Sequence, residues 1–153
     1  MRLALYQPDI PQNLGAAIRL AACLGVGLEV IEPCGFPLTD RAMKRAALDY
    51  EGLAHIERHD GFAAFLAAPA RGEGRLILIE TDGPSMLHAF KFSTGDTLIV
   101  GRESTGSPPE LYDSADACVR IPMAPGVRSL NVAMAGAMAL GEAMRQTGGW
   151  DRC

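Results

Sequence analysis

Charged and aromatic residues are scarce in this chain, and its cysteines are few. Only 21% of its 153 residues are Asp, Glu, Lys or Arg, 6% are aromatic, and the net charge is −4. That balance argues against a broad electrostatic grip on nucleic acid and leaves phosphate contacts to local patches. Cys23, Cys34, Cys118 and Cys153 show no paired spacing, so neither a disulfide framework nor a zinc site is expected, and reduced thiols in the cytoplasm are the plain reading. No uncharged apolar run reaches the roughly 20 residues that cross a bilayer. Met1 to Tyr6 also lacks the basic segment and apolar stretch of a signal peptide, so no membrane partner is expected. The common nucleotide signatures are missing. Gly25-Val-Gly27 follows a helical pattern and has no third glycine, and no Gly-x-x-x-x-Gly-Lys is present. Gly101-Arg-Glu-Ser104-Thr-Gly106 has one residue too many before its serine for a nucleophile elbow.

What is present is the composition of an ordinary globular protein, 48% hydrophobic, and the simplest organisation is one domain over residues 1–153. Short apolar runs ended by proline or glycine predict strands at Leu3 to Tyr6, Leu28 to Ile31, Arg75 to Thr81, Asp96 to Gly101 and Cys118 to Ile121, with a weaker one at His55 to His59. Helical spacing of Leu14, Ala17, Ile18, Ala21 and Leu24 predicts a helix that Asn13 can cap and Gly25 ends, with Arg19 away from its core face. A second helix, capped by Thr39 or Asp40, would carry the basic cluster Arg41, Lys44 and Arg45, which reads equally well as a solvated face. His55 and His59 lack a third ligand, so no metal is expected there. Strands alternating with helices imply an α/β fold with a mainly parallel sheet covered on both faces. Ligands in such folds bind at the carboxyl ends of the strands, here the loops after Ile79, Gly101 and Ile121.

The last quarter joins a proline- and glycine-punctuated loop, Ile121 to Asn131, to a helix without charge between Arg128 and Glu142. Apolar residues fall on all its sides, so protein must cover it. Small residues at Ala133, Ala137 and Gly141 suit close approach of another backbone, and a core helix that also meets a second subunit is one reading; burial wholly within one domain is the other.

Three stretches, Pro11-Gln-Asn13-Leu-Gly15-Ala-Ala-Ile-Arg19, Gly101-Arg-Glu103-Ser-Thr-Gly106-Ser-Pro108 and Ile121-Pro-Met-Ala-Pro-Gly-Val-Arg128-Ser129-Leu-Asn131, resemble in order the motifs of the SPOUT class of RNA 2′-O-ribose methyltransferases. Ile31-Glu-Pro33 and Leu48-Asp-Tyr50 extend the likeness to the minimal bacterial branch that methylates the wobble cytidine or uridine of tRNA, leucine tRNAs among them. The resemblance implies a deep C-terminal trefoil knot, a rare exception to unknotted topology, and S-adenosyl-L-methionine as cofactor. Carried across by motif, its contacts are Ile79, Gly101, Ile121 and Ser129, with Met123 and Leu130 as apolar walls. A homodimer through the first and last helices is implied, and tRNA would be held by that dimer through Arg41, Lys44 and Arg45 with Arg128 and Arg102 nearer the site.

Arg19 matches the arginine proposed as base in related enzymes. Because a guanidinium is normally protonated, gripping the adjacent phosphate and orienting the hydroxyl is an equal role. Asn13, Glu103, Ser129 and Asn131 match positions that line the family's site, although Asn13 could instead cap a helix and Glu103 could pair with Arg102 or Arg128. Thr105 and the stretch Cys118 to Arg120 depart from the branch's pattern. A methyltransferase for another tRNA or rRNA ribose, or a non-catalytic RNA-binding module, stays open at this point.

Overall fold

Residues 1–38, 50, 53–69 and 72–152 are described by a computed structural model of the chain. The expected basic helix, with Arg41, Lys44 and Arg45, lies outside the described residues, as do Leu48 and Asp49.

Among the described residues, seven strands form one sheet: β1 (Arg2–Tyr6), β2 (Gly27–Ile31), β3 (Ile56–His59), β4 (Leu76–Ile79), β5 (Ser85–Met86), β6 (Thr97–Val100) and β7 (Ala117–Arg120). All neighbours pair in parallel, in the order β3-β2-β1-β6-β4-β7-β5. The central strands are buried on both faces, so they read as unbroken apolar runs, Leu-Ile-Leu-Ile in β4 and Thr-Leu-Ile-Val in β6.

Among the described residues, four helices cover the sheet: α1 (Pro11–Leu24), α2 (Phe62–Ala67), α3 (Pro109–Ser114) and α4 (Val132–Thr147). Leu3 and Leu5 share a core with Leu14, Ile18, Leu140 and Met144 of α1 and α4. The alternate residues Ala4 and Tyr6 share a second core with Phe62, Phe65 and Leu111 of α2 and α3, as the two-residue period of a strand requires. Gly136 lets α4 lie close to β1, since a Cβ there would sit 3.3 Å from the methyl carbons of Leu3.

The first helix starts earlier than its capping signal suggests. Pro11 occupies its first turn, where a missing N–H costs nothing, and Ile10 precedes it without a side-chain cap. Asn13 is therefore inside the helix, and its side chain is free for another task. Gly25 does end α1, in the left-handed conformation at φ 61°. Asn131 caps α4: its Oδ1 accepts from the N–H groups of Ala133 at 3.0 Å and Met134 at 3.2 Å.

Burial of α4 on all sides does not hold for one chain. Ala139, Leu140, Ala143 and Met144 are buried, yet Met134 is 64% and Met138 48% exposed. Burial wholly within one domain is excluded, and an apolar face remains on the molecule. No helix among the described residues is long and apolar enough to cross a membrane.

The two histidines of the 55–59 stretch do not converge. His55 is exposed and His59 is buried, its Nε2 2.6 Å from Glu29 Oε2. Arg2 bonds the other oxygen of Glu29 and reaches Glu57, so an arginine supplies the cation among these carboxylates.

Candidate active site

The chain builds the sheet outward from β1 through β2 to β3 on one side and then crosses over to build β4 to β7 on the other, so that β6 lies beside β1. The carboxyl ends of the strands leave a crevice there. A cavity of about 430 Å³ opens at that edge, walled by the loops that follow β4, β6 and β7. It is lined by Ile79, Gly101, Ile121, Met123, Ser129 and Leu130, and also by Asn13, Glu103 and Asn131. Every catalytic or cofactor contact expected from the motifs is thus brought to one place except Arg19. That side chain lines an adjoining groove between α1 and α4, which shares Asn13 and Asn131 with the cavity.

Gly101 is where backbone must approach backbone. The turn after β6 folds back at once, with an antiparallel bridge between Arg102 and Gly106 and a hydrogen bond of 2.8 Å from Gly106 N to Arg102 O. Gly106 takes φ 72° to close it. A Cβ on Gly101 would collide with Ser107 Oγ and come within 3.1 Å of the Gly106 carbonyl carbon. Ser107 Oγ donates to Glu80 Oε2 at 2.8 Å, and Glu80 Oε1 accepts from Thr81 N at 2.8 Å. Glu80 therefore ties the loop after β4 to the loop after β6 while lining the cavity. Sequence reasoning missed Glu80 and Val100; their one available signal was position, at or just past the end of an apolar strand.

A chain of side-chain hydrogen bonds runs under the other wall. Asn131 Nδ2 donates to Asn13 Oδ1 at 2.8 Å, and Asn13 Nδ2 donates to Glu103 Oε1 at 3.0 Å. Glu103 Oε2 accepts from Asp9 N at 2.9 Å, while Arg102 Nε donates to Asp9 Oδ2 at 3.1 Å. Neither alternative for these residues survives: Asn13 caps nothing, and Glu103 pairs with Asn13 and the Asp9 backbone instead of an arginine. Burial pushes the Glu103 carboxyl up, and the neighbouring Asp9 adds to that shift. Asp9 moves the other way, down to about 2, through hydrogen bonding to the Glu103 carboxyl and then to Ser104 and Arg102. Of this adjacent pair, Glu103 is the group that keeps a proton longer.

Arg19 is exposed on α1, its guanidinium carbon 5.2 Å from the centroid of the Tyr50 ring. The cavity can take a flat, partly apolar ligand of ordinary size, since small-molecule sites run to roughly 300–1,000 Å³. Ile79, Val100, Ile121, Met123 and Leu130 offer apolar surface, and Gly101 and Gly106 offer bare backbone. These residues fit an adenosyl group with a short polar tail.

Residues 1–141 match the family described as SpoU rRNA Methylase. The chain belongs to this family of RNA methyltransferases, and the motif resemblance is borne out. It is similar to the tRNA (cytidine(34)-2′-O)-methyltransferase of Beijerinckia indica, with 51% identity over 146 residues that cover 95% of this chain and 91% of the other. The enzyme of the same name from Ancylobacter novellus is 49% identical, with coverage of 99% and 96%. Among solved structures, one concerned with 2-OH methylation of C/U34 on tRNA superposes with a TM-score of 0.87 at 45% identity, covering 95% of this chain and 94% of that one. AviRb from Streptomyces viridochromogenes, solved with the cofactor AdoMet, gives a TM-score of 0.84 at 28% identity, with coverage of 95% and 60%.

Proposed function

We propose that this protein methylates the ribose 2′-oxygen of the wobble nucleotide, cytidine or uridine 34, in tRNAs that include those accepting leucine. Its methyl donor is S-adenosyl-L-methionine. The observation that carries the reading is convergence: three loops far apart in sequence meet at one cavity, and Arg19, Asn13 and Asn131 stand at its border. When bound, the donor supplies a methyl group on a positively charged sulfur, which reacts with an oxygen nucleophile without a metal.

The residues of the chain supply placement. Ile79, Gly101, Ile121, Met123, Ser129 and Leu130 hold the donor, and the bare backbone at Gly101 allows it to lie against the sheet edge. Asn131, fixed by its capping bonds and by Asn13, presents a polar edge where the groove joins the cavity. Arg19, beside Tyr50, grips the phosphate next to the target and orients the hydroxyl, so that the reacting atoms meet in line. Glu103 holds Asn13 from behind. Arg128 and Arg102 line the cavity wall and would contact incoming RNA, phosphates giving grip and stacking giving placement.

The active form is a homodimer through α1 and α4, acting in the cytoplasm as a single domain. Exposed Met134 and Met138 support this, together with the apolar groove formed by Gly15, Ala16, Leu20, Ala133 and Ala137 beside Arg19. A second copy seated there would complete the border of the site. Sedimentation of a Met134→Glu protein should show monomers where the parent shows dimers, with methyl transfer lost; a parent that is a stable, active monomer contradicts the assembly. The sheet order, in which the chain returns from β5 at the edge to place β6 between β1 and β4, supports the threaded C-terminal knot.

Incubation with methyl-labelled S-adenosylmethionine and a leucine-accepting tRNA, followed by nucleotide mapping, tests the reading. Label on the ribose of nucleotide 34 is expected. Label at another ribose would reassign the substrate, and binding without turnover would point to a non-catalytic module.

A further inference from the structure

The cavity contains a carboxylate that no cation answers. Glu80 lines it, and its oxygens accept from Thr81 N at 2.8 Å, Thr81 Oγ1 at 3.3 Å and Ser107 Oγ at 2.8 Å. All of these donors are neutral. Among the described residues no lysine, arginine or histidine forms an ion pair with Glu80. The other charges at the wall are spoken for or screened. Arg102 is paired with Asp9, Arg128 is exposed to solvent, and Glu103 is held by Asn13 and the Asp9 backbone. The negative field near Glu80 is felt by its neighbours: burial first, and then Asp82 and Glu80, push the Cys118 thiol up to about 11.

We propose that Glu80 is a specificity-determining residue, whose unpaired carboxylate draws the cationic methyl donor into the cavity and releases the product once its charge is gone. The proposal rests on this cavity being the donor site. S-adenosylmethionine and S-adenosylhomocysteine differ by a methyl group and one positive charge on sulfur. Transfer moves the methyl from sulfur to oxygen, the C–S bonding pair stays on sulfur as a lone pair, and the ribose hydroxyl gives up its proton to water. The ligand left behind is less positive by one unit. A fixed carboxylate in a partly buried site interacts with such a unit charge far more strongly than bulk water would allow. The effect appears as a difference between the two ligands, which separates it from the latch that Glu80 makes with Ser107, because a latch shapes the cavity equally for both.

Isothermal titration of the full chain with each ligand distinguishes these. Glu80→Gln should weaken S-adenosylmethionine by roughly tenfold and leave S-adenosylhomocysteine within about twofold. Glu80→Asp should keep the preference, and Ser107→Ala should weaken both ligands alike. The unaltered protein offers a second measurement: sinefungin, which carries an ammonium group in place of the sulfonium, should bind several-fold more tightly than S-adenosylhomocysteine. Equal weakening of both ligands in Glu80→Gln, or equal affinity of the parent for sinefungin and S-adenosylhomocysteine, overturns the proposal. Failure of the parent to bind either nucleoside would instead remove the donor-site reading beneath it.

Discussion

Replacing Arg19 by alanine is expected to lower kcat/KM for methyl transfer by roughly 10²- to 10⁴-fold, the range over which a positioned group acting on a proton or its neighbouring charge contributes. Affinity for the cofactor should stay within about twofold, because an interaction made only with the reacting ribose does not enter donor binding. The separation follows from the geometry. Arg19 borders the groove between α1 and α4 and is absent from the wall of the donor cavity, so its loss leaves that cavity's lining intact. Arg19→Lys should fail nearly as badly, since an ammonium lacks the planar fork that grips phosphate while directing a second donor at the hydroxyl. Steady-state kinetics paired with isothermal titration reads both quantities. Parallel losses in cofactor affinity and turnover would mean that Arg19 shapes the donor site instead.

A single methyl group at position 101 should produce the opposite pattern. In Gly101→Ala the new carbon runs into Ser107 Oγ and presses on the backbone of Gly106 and Ser107. Those atoms cannot simply turn aside: Gly106 is fixed by its bond to Arg102 O, and Ser107 by its bond to Glu80. The turn must open, at the cost of about 1–3 kcal/mol that overpacking of a well-filled site carries. Because this turn lines the cavity, S-adenosylmethionine affinity should fall tenfold or more, and turnover at low cofactor should fall with it. Saturating cofactor should restore part of the rate, which distinguishes this variant from Arg19→Ala. Unchanged affinity in Gly101→Ala would place the donor elsewhere.

The parts of this molecule that are legible in its sequence are those with a local physical signature. Buried parallel strands need apolar residues on both faces, and β4 and β6 show themselves as Leu-Ile-Leu-Ile and Leu-Ile-Val. Gly25 as the stop of α1 follows from its position after the last apolar repeat. Strand β5 escapes notice because Ser85 and Met86 are two half-buried residues, too few to show a period. Asn13 is open to a capping role because capping is judged from adjacent residues, whereas its actual partners, Glu103 and Asn131, lie 90 and 118 positions away. Nothing near Asn13 in the chain points to them. The uncharged run of α4 before Glu142 signals burial correctly on one side. Met134 and Met138 show that an apolar pattern reports the need for cover without saying which molecule provides it. Convergence of the three motifs is expected from a family likeness, and the order β1-β6-β4-β7 is the physical reason for it.

The central claim is that the cavity and its bordering groove act together on one hydroxyl, the 2′-oxygen of nucleotide 34. Its most direct test is methyl transfer to a tRNA that is complete except for a 2′-deoxyribose at that nucleotide, run beside the unaltered tRNA with methyl-labelled S-adenosylmethionine. Incorporation is expected into the unaltered tRNA and none above background into the deoxy substrate. Equal labelling of both would contradict it.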